Sequence, residues 1–155
     1  MRRKDREIMD KQRIKDIVEA CDCCRLGLAD ERAPYIVPLN FGYFWEGERL
    51  FLFFHSAREG RKLELIERNG YAGFEMDTSH NLKRHELACG HSFGFQSIVG
   101  TGKISELCGE EERRAGLSMI MEHMTGKNDW EFQPEALAAV AVLRLEVEAL
   151  SCKEH

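Results

Sequence analysis

Residues 34–55, PYIVPLNFGYFWEGERLFLFFH, constrain the fold more than any other stretch of this chain. Tyr35, Val37, Leu39, Phe41 and Tyr43 recur at every second position, the period of a strand with one face turned inward. EGE at 46–48 reads as a hairpin turn, and RLFLFFH beyond it is apolar on both faces, as a buried strand requires. With CRLGLA at 24–29 ahead of them, these segments make three strands in succession, which favours an antiparallel sheet. Pro38 falls inside the alternation and has no amide to donate. It therefore belongs at a sheet edge, at a bulge, or where the ladder opens and leaves backbone groups free for a ligand.

The remaining segments fit around that sheet. Ile14, Ile17, Val18 and Cys21 share a helical stripe that should end near Cys21, and 59–68 forms a second helix stopped by Asn69-Gly70. YAGFEMDT and FQSIVGTGKISEL read as strands, with the polar, histidine-rich residues 80–94 as a long loop between them. Leu117, Ile120, Met121 and Met124 repeat the helical spacing, with Gly126 as the stop and the methionines in the core. In VAVLRLEVEAL, Leu143, Leu145 and Val147 alternate with Arg144, Glu146 and Glu148, so the segment is a strand with one wet face despite its helix-forming composition. The expected class is mainly β, a small barrel with peripheral helices, built as one domain over 1–155 with an N-terminal helix.

Charge and composition narrow the function. The chain is 43% hydrophobic and 32% charged, as in soluble globular proteins, and its formal charge of −5 argues against nucleic acid as a partner while leaving room for one small anion. The basic start, MRRKDREIMDKQR, has acidic residues interspersed and no apolar segment after it, so it does not read as a targeting sequence. No run approaches the roughly 18 apolar residues that span a bilayer, and six irregularly spaced cysteines suggest reduced thiols. The expectation is a cytoplasmic protein with no membrane partner.

FHSAREGRKLELI, residues 54–66, carries the most chemistry. Ser56 and Glu59 have capping-box spacing, which needs no ligand. Arg58, Arg61 and Lys62 crowd a turn with Gly60 at the start of a helix, which is what an anion such as phosphate needs. Local sequence leaves both readings open. His55, just before the turn, is a candidate for proton transfer near neutral pH. VGTGK at 99–103 is neither a Walker A loop, because Ile104 follows the lysine, nor a dinucleotide fingerprint, because no helix follows; Gly100 and Gly102 instead mark a close approach on one strand face. CDCC at 21–24 and HELACGH at 85–91 lack paired zinc-ligand spacing, and no metal is assigned. Trp130 and Phe132 precede the last strand as core, interface or ligand-wall aromatics.

Five of these segments, CRLGLA, PYIVPLNFGY, FFHSAREGRKLELI, SFGFQSIVGTGKI and DWEFQPEALAAVAVLRLEVEALSCKEH, together resemble the pyridoxamine 5′-phosphate oxidase-like split-barrel family, and within it the nitroimidazole-resistance group. The resemblance implies a six-stranded antiparallel split barrel of Greek-key type, and a homodimer with FMN at the subunit interface. It implies that the strand holding Val37, Pro38, Leu39, Asn40 and Phe41 lies against the flavin ring. His55, Ser56, Ala57, Gly60, Arg61 and Lys62 are similar to the family's phosphate turn; Gln96, Ser97 and Val99 match a later contact strand, and Trp130 resembles an aromatic given by the partner. Phe95 replaces a frequent tyrosine and Gln96 a frequent basic residue, which alters one polar contact and one phosphate contact. The implied reaction is FMN-dependent reduction of a small heteroaromatic nitro compound, with His55 as proton donor or substrate contact. The alternatives are a non-catalytic flavin- or haem-binding barrel and a metal protein built on the cysteine and histidine clusters.

Overall fold

The computed structural model describes residues 4–155. Met1–Arg3, the head of the basic start, lie outside the described residues. In chain order the elements are β1 (Glu7–Ile8), α1 (Lys11–Ala20), β2 (Cys24–Leu28), β3 (Tyr35–Leu39), β4 (Gly42–Glu46), β5 (Arg49–Ala57), α2 (Arg61–Asn69), β6 (Tyr71–Lys83), β7 (Ser92–Glu106), α3 (Glu110–Thr125), α4 (Pro134–Ala139) and β8 (Val140–Glu154). All eight strands join one sheet in the order β3-β2-β6-β7-β8-β5-β4, with β1 on β8, and every pairing is antiparallel.

The order has a geometric consequence. β3 and β4 are the two ends of the path, yet only Asn40 and Phe41 separate them in the chain. Six inter-strand spacings would hold the ends of a flat sheet roughly 29 Å apart. Three Cα steps from Leu39 to Gly42 reach at most about 11 Å. The sheet must therefore curl until its edges meet, and because β3 and β4 do not pair, the barrel stays open along a seam. The mainly β split barrel expected from the sequence is what the chain forms.

The strand count is eight and not six for two local reasons. The expected strand over 34–45 breaks at Asn40-Phe41, where Phe41 turns fully into the core and α3 presses its backbone onto Gly42. The short β1 adds the other strand, pairing Glu7 with Lys153 and Ile8 with Cys152. A third correction concerns 80–94. After a register shift between Thr78 and Asn81, Leu82 pairs with Phe93 and Lys83 with Ser92, so the strands continue and the loop shrinks to 84–91. Pro38 stands opposite Arg25 on an edge strand, as its missing amide demands.

Alternation sends Leu26, Leu28, Leu52, Phe54, Phe74, Met76, Ile98, Leu143 and Leu145 inward, where each is almost wholly buried. Each such side chain contributes about 1.5–3 kcal/mol relative to exposure. α1 adds Ile17 and Val18 to this core and α2 adds Leu65 and Ile66. α3 lies outside the barrel against β4, β5 and β8. Its methionines are half-buried along that face, and α4 intervenes between Trp130 and the last strand. Among the described residues no polar or charged side chain is fully buried, so the chemistry is confined to edges and ends.

Gly100 and Gly102 mark a close approach made by the chain itself. A Cβ on Gly100 would meet the Phe74 ring at 2.5 Å, and one on Gly102 would fall 2.0 Å from the Glu146 carbonyl oxygen. By contrast, a Cβ on Gly27 meets its nearest neighbour, the Gly73 carbonyl, at 3.8 Å. Gly102→Ala should therefore destabilise the fold by about 1–3 kcal/mol or more, since a backbone atom cannot step aside, while Gly27→Ala should be close to neutral. Denaturant melts of the two variants check this contrast.

Candidate functional site

Both strands that border the seam keep a free edge. β3 pairs only with β2, and β4 covers β5 only as far as Phe53, so Phe54–Ala57 is paired on its β8 side alone. These two open edges flank the Asn40-Phe41 link, and three residues separate the end of β5 from the start of α2. The sequence-derived residues Val37, Pro38, Leu39, Asn40 and Phe41 thus lie on one side of the gap and at its apex. His55, Ser56 and Ala57 lie on the other side, with Gly60, Arg61 and Lys62 at its end. In the barrel wall, β5 turns Ser56 inward, opposite Ala141, and His55 outward, opposite Val142, where it is exposed.

The turn decides between the two readings of Ser56. Gly60 is the N-cap of α2, with no side-chain cap, and Ser56 belongs to β5, its hydroxyl donating to the Ala57 carbonyl at 2.8 Å. The capping box is therefore not formed. It fails because Gly60 adopts φ 125° and ψ 169°, a conformation open to glycine and strained for other residues, and this delays the helix by four residues from Ser56. The Gly60 carbonyl accepts from Leu63 and Glu64, leaving the Arg61 and Lys62 amides without an intramolecular acceptor at the positive end of the helix.

The three cations of the turn have different commitments. Arg58 reaches away, donating to the Ala138 carbonyl at 3.1 Å and approaching Glu106 at 3.8 Å. Arg61 is paired with Asp30 of the β2–β3 loop through Nε at 2.9 Å and through a second guanidinium nitrogen. Lys62 is half-buried and has no carboxylate partner among the described residues; burial pushes its ammonium below the usual lysine range. A half-buried cation in the first turn of a helix whose leading amides are unspent is an arrangement an anion completes. Sequence reasoning missed Asp30, which lies 31 residues from Arg61 and carries no local signal in the polar ADERAP segment.

Other predicted residues are not brought to the seam within one chain. Val99 shares a cross-strand row with Glu75, Arg25 and Pro38, so three strand spacings, roughly 14 Å, separate it from β3. Ser97 follows the same outward face, while Gln96 bonds Ser79 at 3.0 Å and Glu154 at 3.1 Å. Trp130 is 44% exposed near the end of α3, its indole donating to Thr125 at 3.1 Å. A cleft of about 730 Å³ between α2 and the end of β7 is no rival anion site, because Glu59, Glu64, Glu67 and Glu106 line it. All six cysteines are free; burial pushes Cys21 up to about 12, Cys152 up to about 11 and Cys24 higher still, so these three remain protonated and unreactive. Among the described residues, no helix is long and apolar enough to cross a membrane.

Comparison with known proteins gives this geometry a context. A family model described as pyridoxamine 5′-phosphate oxidase matches residues 10–154. No curated protein matches the sequence. Among solved structures, a candidate 5-nitroimidazole antibiotic resistance protein from Bacteroides thetaiotaomicron is similar at 33% identity with a TM-score of 0.82, over 96% of this chain and 86% of that one. A flavocytochrome from Azotobacter vinelandii shares the fold at 19% identity, with a TM-score of 0.77 over 96% and 69% of the two chains. An FAD- and haem-binding protein from Mycobacterium smegmatis does so at 16% identity, with a TM-score of 0.82 over 96% and 73%.

The Asp30 pair has a pH signature. Hydrogen bonding from Arg61, then the Glu31 amide, holds the Asp30 carboxyl below the usual carboxylate range, and Arg68 adds to the attraction. A carboxylate with a depressed folded value contributes stability that is present above the unfolded range, about pH 4, and lost as pH falls through the folded value. The melting-temperature gap between the parent and Asp30→Asn should therefore close on acidification. A gap that stays constant into the acid range would show that the carboxylate charge is not what Asp30 contributes.

Proposed function

The chain belongs to the pyridoxamine 5′-phosphate oxidase family, and from that premise we propose that it is an FMN-dependent oxidoreductase acting on a small heteroaromatic acceptor of the nitroimidazole kind. The observation that carries the cofactor assignment is Lys62, a half-buried ammonium without a carboxylate, next to the free amides of Arg61 and Lys62. This cradle fits a phosphate monoester. Gly60 leaves it accessible, since nothing lies within 4 Å of where its Cβ would stand. Ser56 needs only to rotate its hydroxyl away from the Ala57 carbonyl to join, and Arg61 joins by sharing itself with Asp30.

The flavin, when bound, carries the electrons between donor and acceptor. The chain's own residues bind and orient. The free edge of β3, which contains Pro38, presents backbone groups to a planar ring, while Asn40 and Phe41 close the apex. His55, exposed at the end of β5, holds or delivers a proton to a substrate placed against that ring. The family resemblance puts the ring at the interface of a homodimer, and two features of this chain support it. Gln96, Ser97, Val99 and Trp130 lie off the seam of their own subunit, where a second copy can offer them. Ile36 and Val99 stand 63% and 53% exposed on the outward face that carries Gly27 and Gly73, with the Arg25, Glu75 and Asp77 ion pairs between them, a mixed apolar and charged surface that a second copy can cover. The location that fits this reading is the cytoplasm.

Two measurements test the proposal. Purified protein should show flavin absorption and take up FMN, and Arg61→Ala with Lys62→Ala should weaken FMN binding by at least about tenfold while the fold survives. Unchanged retention in the double variant would move the phosphate elsewhere, and a Soret band in place of flavin bands would indicate a haem protein. For catalysis, anaerobic reduction by NADH or NADPH followed by reoxidation with a nitroimidazole should give turnover that His55→Ala lowers. A stable flavin complex with no turnover over a broad acceptor panel would make the protein a binding module.

A further inference from the structure

We propose that the acidic cleft beside the phosphate turn selects the mononucleotide. It leaves the cradle to a flavin that ends in a phosphate monoester and turns away one that continues into a second phosphate and an adenosine, so that FMN is held in preference to FAD. The selection presupposes the phosphate site proposed for the turn and adds the side chains that decide between the two nucleotides.

The two sides of α2 face opposite surroundings. Gly60, Leu63, Glu64 and Glu67 fall at spacings 0, 3, 4 and 7, so they share one face, and all four line the cleft of about 730 Å³ between α2 and the end of β7. Arg61 and Arg68 fall on another face, where both reach Asp30. That flank is closed against the β2–β3 loop by these pairs and by Asn69, which donates to the Ala29 carbonyl at 2.8 Å. The cleft flank is open. Gly60 belongs to both cradle and cleft, and nothing lies within 4 Å of where its Cβ would stand. The open way out for a group attached to a phosphate in the cradle is past Gly60.

Size does not bar an adenylate there. The cleft is as large as sites that take organic ligands, and Leu63, Ile66 and Ile104 give it an apolar surface suited to a base. Charge is what refuses it. Glu59, Glu64, Glu67 and Glu106 line the cleft against one arginine, Arg58, which lies 3.8 Å from Glu106. Glu59 and Glu67 are exposed and form no ion pair with a described residue.

The two nucleotides place their phosphate charge differently. A monoester concentrates about −1.5 to −2 on one phosphorus with three acceptor oxygens, all of it beside Lys62 and the leading amides of α2. In FAD the phosphate in the cradle gives one of those oxygens to the bridge. Its second phosphate stands one bridging oxygen further on, beside Glu59 at the mouth of the cleft. FMN therefore spends its whole charge on the cradle, whereas FAD spends part of its charge against carboxylates.

The test is calorimetric titration of the flavin-free full-length protein with riboflavin, FMN and FAD at low salt. FMN should bind at least about tenfold more tightly than FAD, and E59Q/E67Q should raise FAD affinity more than FMN affinity, narrowing the ratio at least about threefold at an unchanged melting temperature. FAD bound as tightly as FMN by the parent, or an unmoved ratio in the folded double variant, would overturn the selection and leave the cradle standing. FMN bound no more tightly than riboflavin would remove the cradle itself, and the selection with it. The three-ligand comparison is made on the parent protein and does not depend on how the variant folds.

Discussion

The two-residue link between β3 and β4 is the constraint on which the rest of the molecule depends. Because Asn40-Phe41 joins the two ends of the strand order, the sheet has to close on itself, and because the ends do not pair, it closes with a gap. Closing the ladder fully would satisfy every backbone group and remove both edges. This chain keeps them, and the candidate site follows: β3 on one side and β4 with the uncovered end of β5 on the other border the seam, which an ordinary barrel with the same residues would lack.

A link this short must be held in place, and His123 is one means. Its ring bridges the Phe41 carbonyl of the link and the Glu19 carbonyl of α1 while projecting from α3. It also packs on Phe41, with ring centroids 4.5 Å apart, and edge-on against Tyr43 at 5.0 Å. Three helical and strand elements are thereby fixed to one another around a two-residue hinge. Gly42 does the complementary work of letting α3 approach, since a Cβ there would lie 2.3 Å from the helix backbone. The seam is consequently a built opening, with rigid supports on its flanks.

Much of this was legible in the sequence where a signal is local and periodic. Alternation identified the strands, Gly70 and Gly126 stopped their helices in the left-handed conformation, and Pro38 pointed to an edge. What was not legible depends on distant partners. The break at Asn40-Phe41 is invisible to alternation, because Phe41 keeps its inward phase while the backbone turns; only α3, some eighty residues later, shows why the strand cannot continue. The extension of β6 and β7 through 80–94 is hidden for a related reason: a register shift disrupts the period, and Ser79 takes a positive φ of 58°. The Ser56 capping box was a sound local inference that lost to one glycine, because Gly60 starts the helix later than the spacing assumed. At the candidate site, the basic turn was readable as a cluster, but its division of labour was not, since Asp30 and Glu106 determine which of its cations are engaged.

That division would let a chain of net charge −5 hold the dianion proposed for the turn. Net charge acts over distances that salt screens within about 8–10 Å, whereas binding depends on what a ligand touches. At the turn, Asp30 engages Arg61, and Glu106 with the Ala138 carbonyl draws Arg58 aside, so Lys62, the cation of the turn without a carboxylate partner among the described residues, is also the least hydrated. A solvated lysine gains little from a phosphate because water already serves it; Lys62 has lost part of that water on folding and recovers the loss only when an anion arrives. Arg61 works in the opposite sense. Its charge is already offset by Asp30, which takes two of its five N–H donors and leaves the others for a ligand, so it contributes orientation more than affinity.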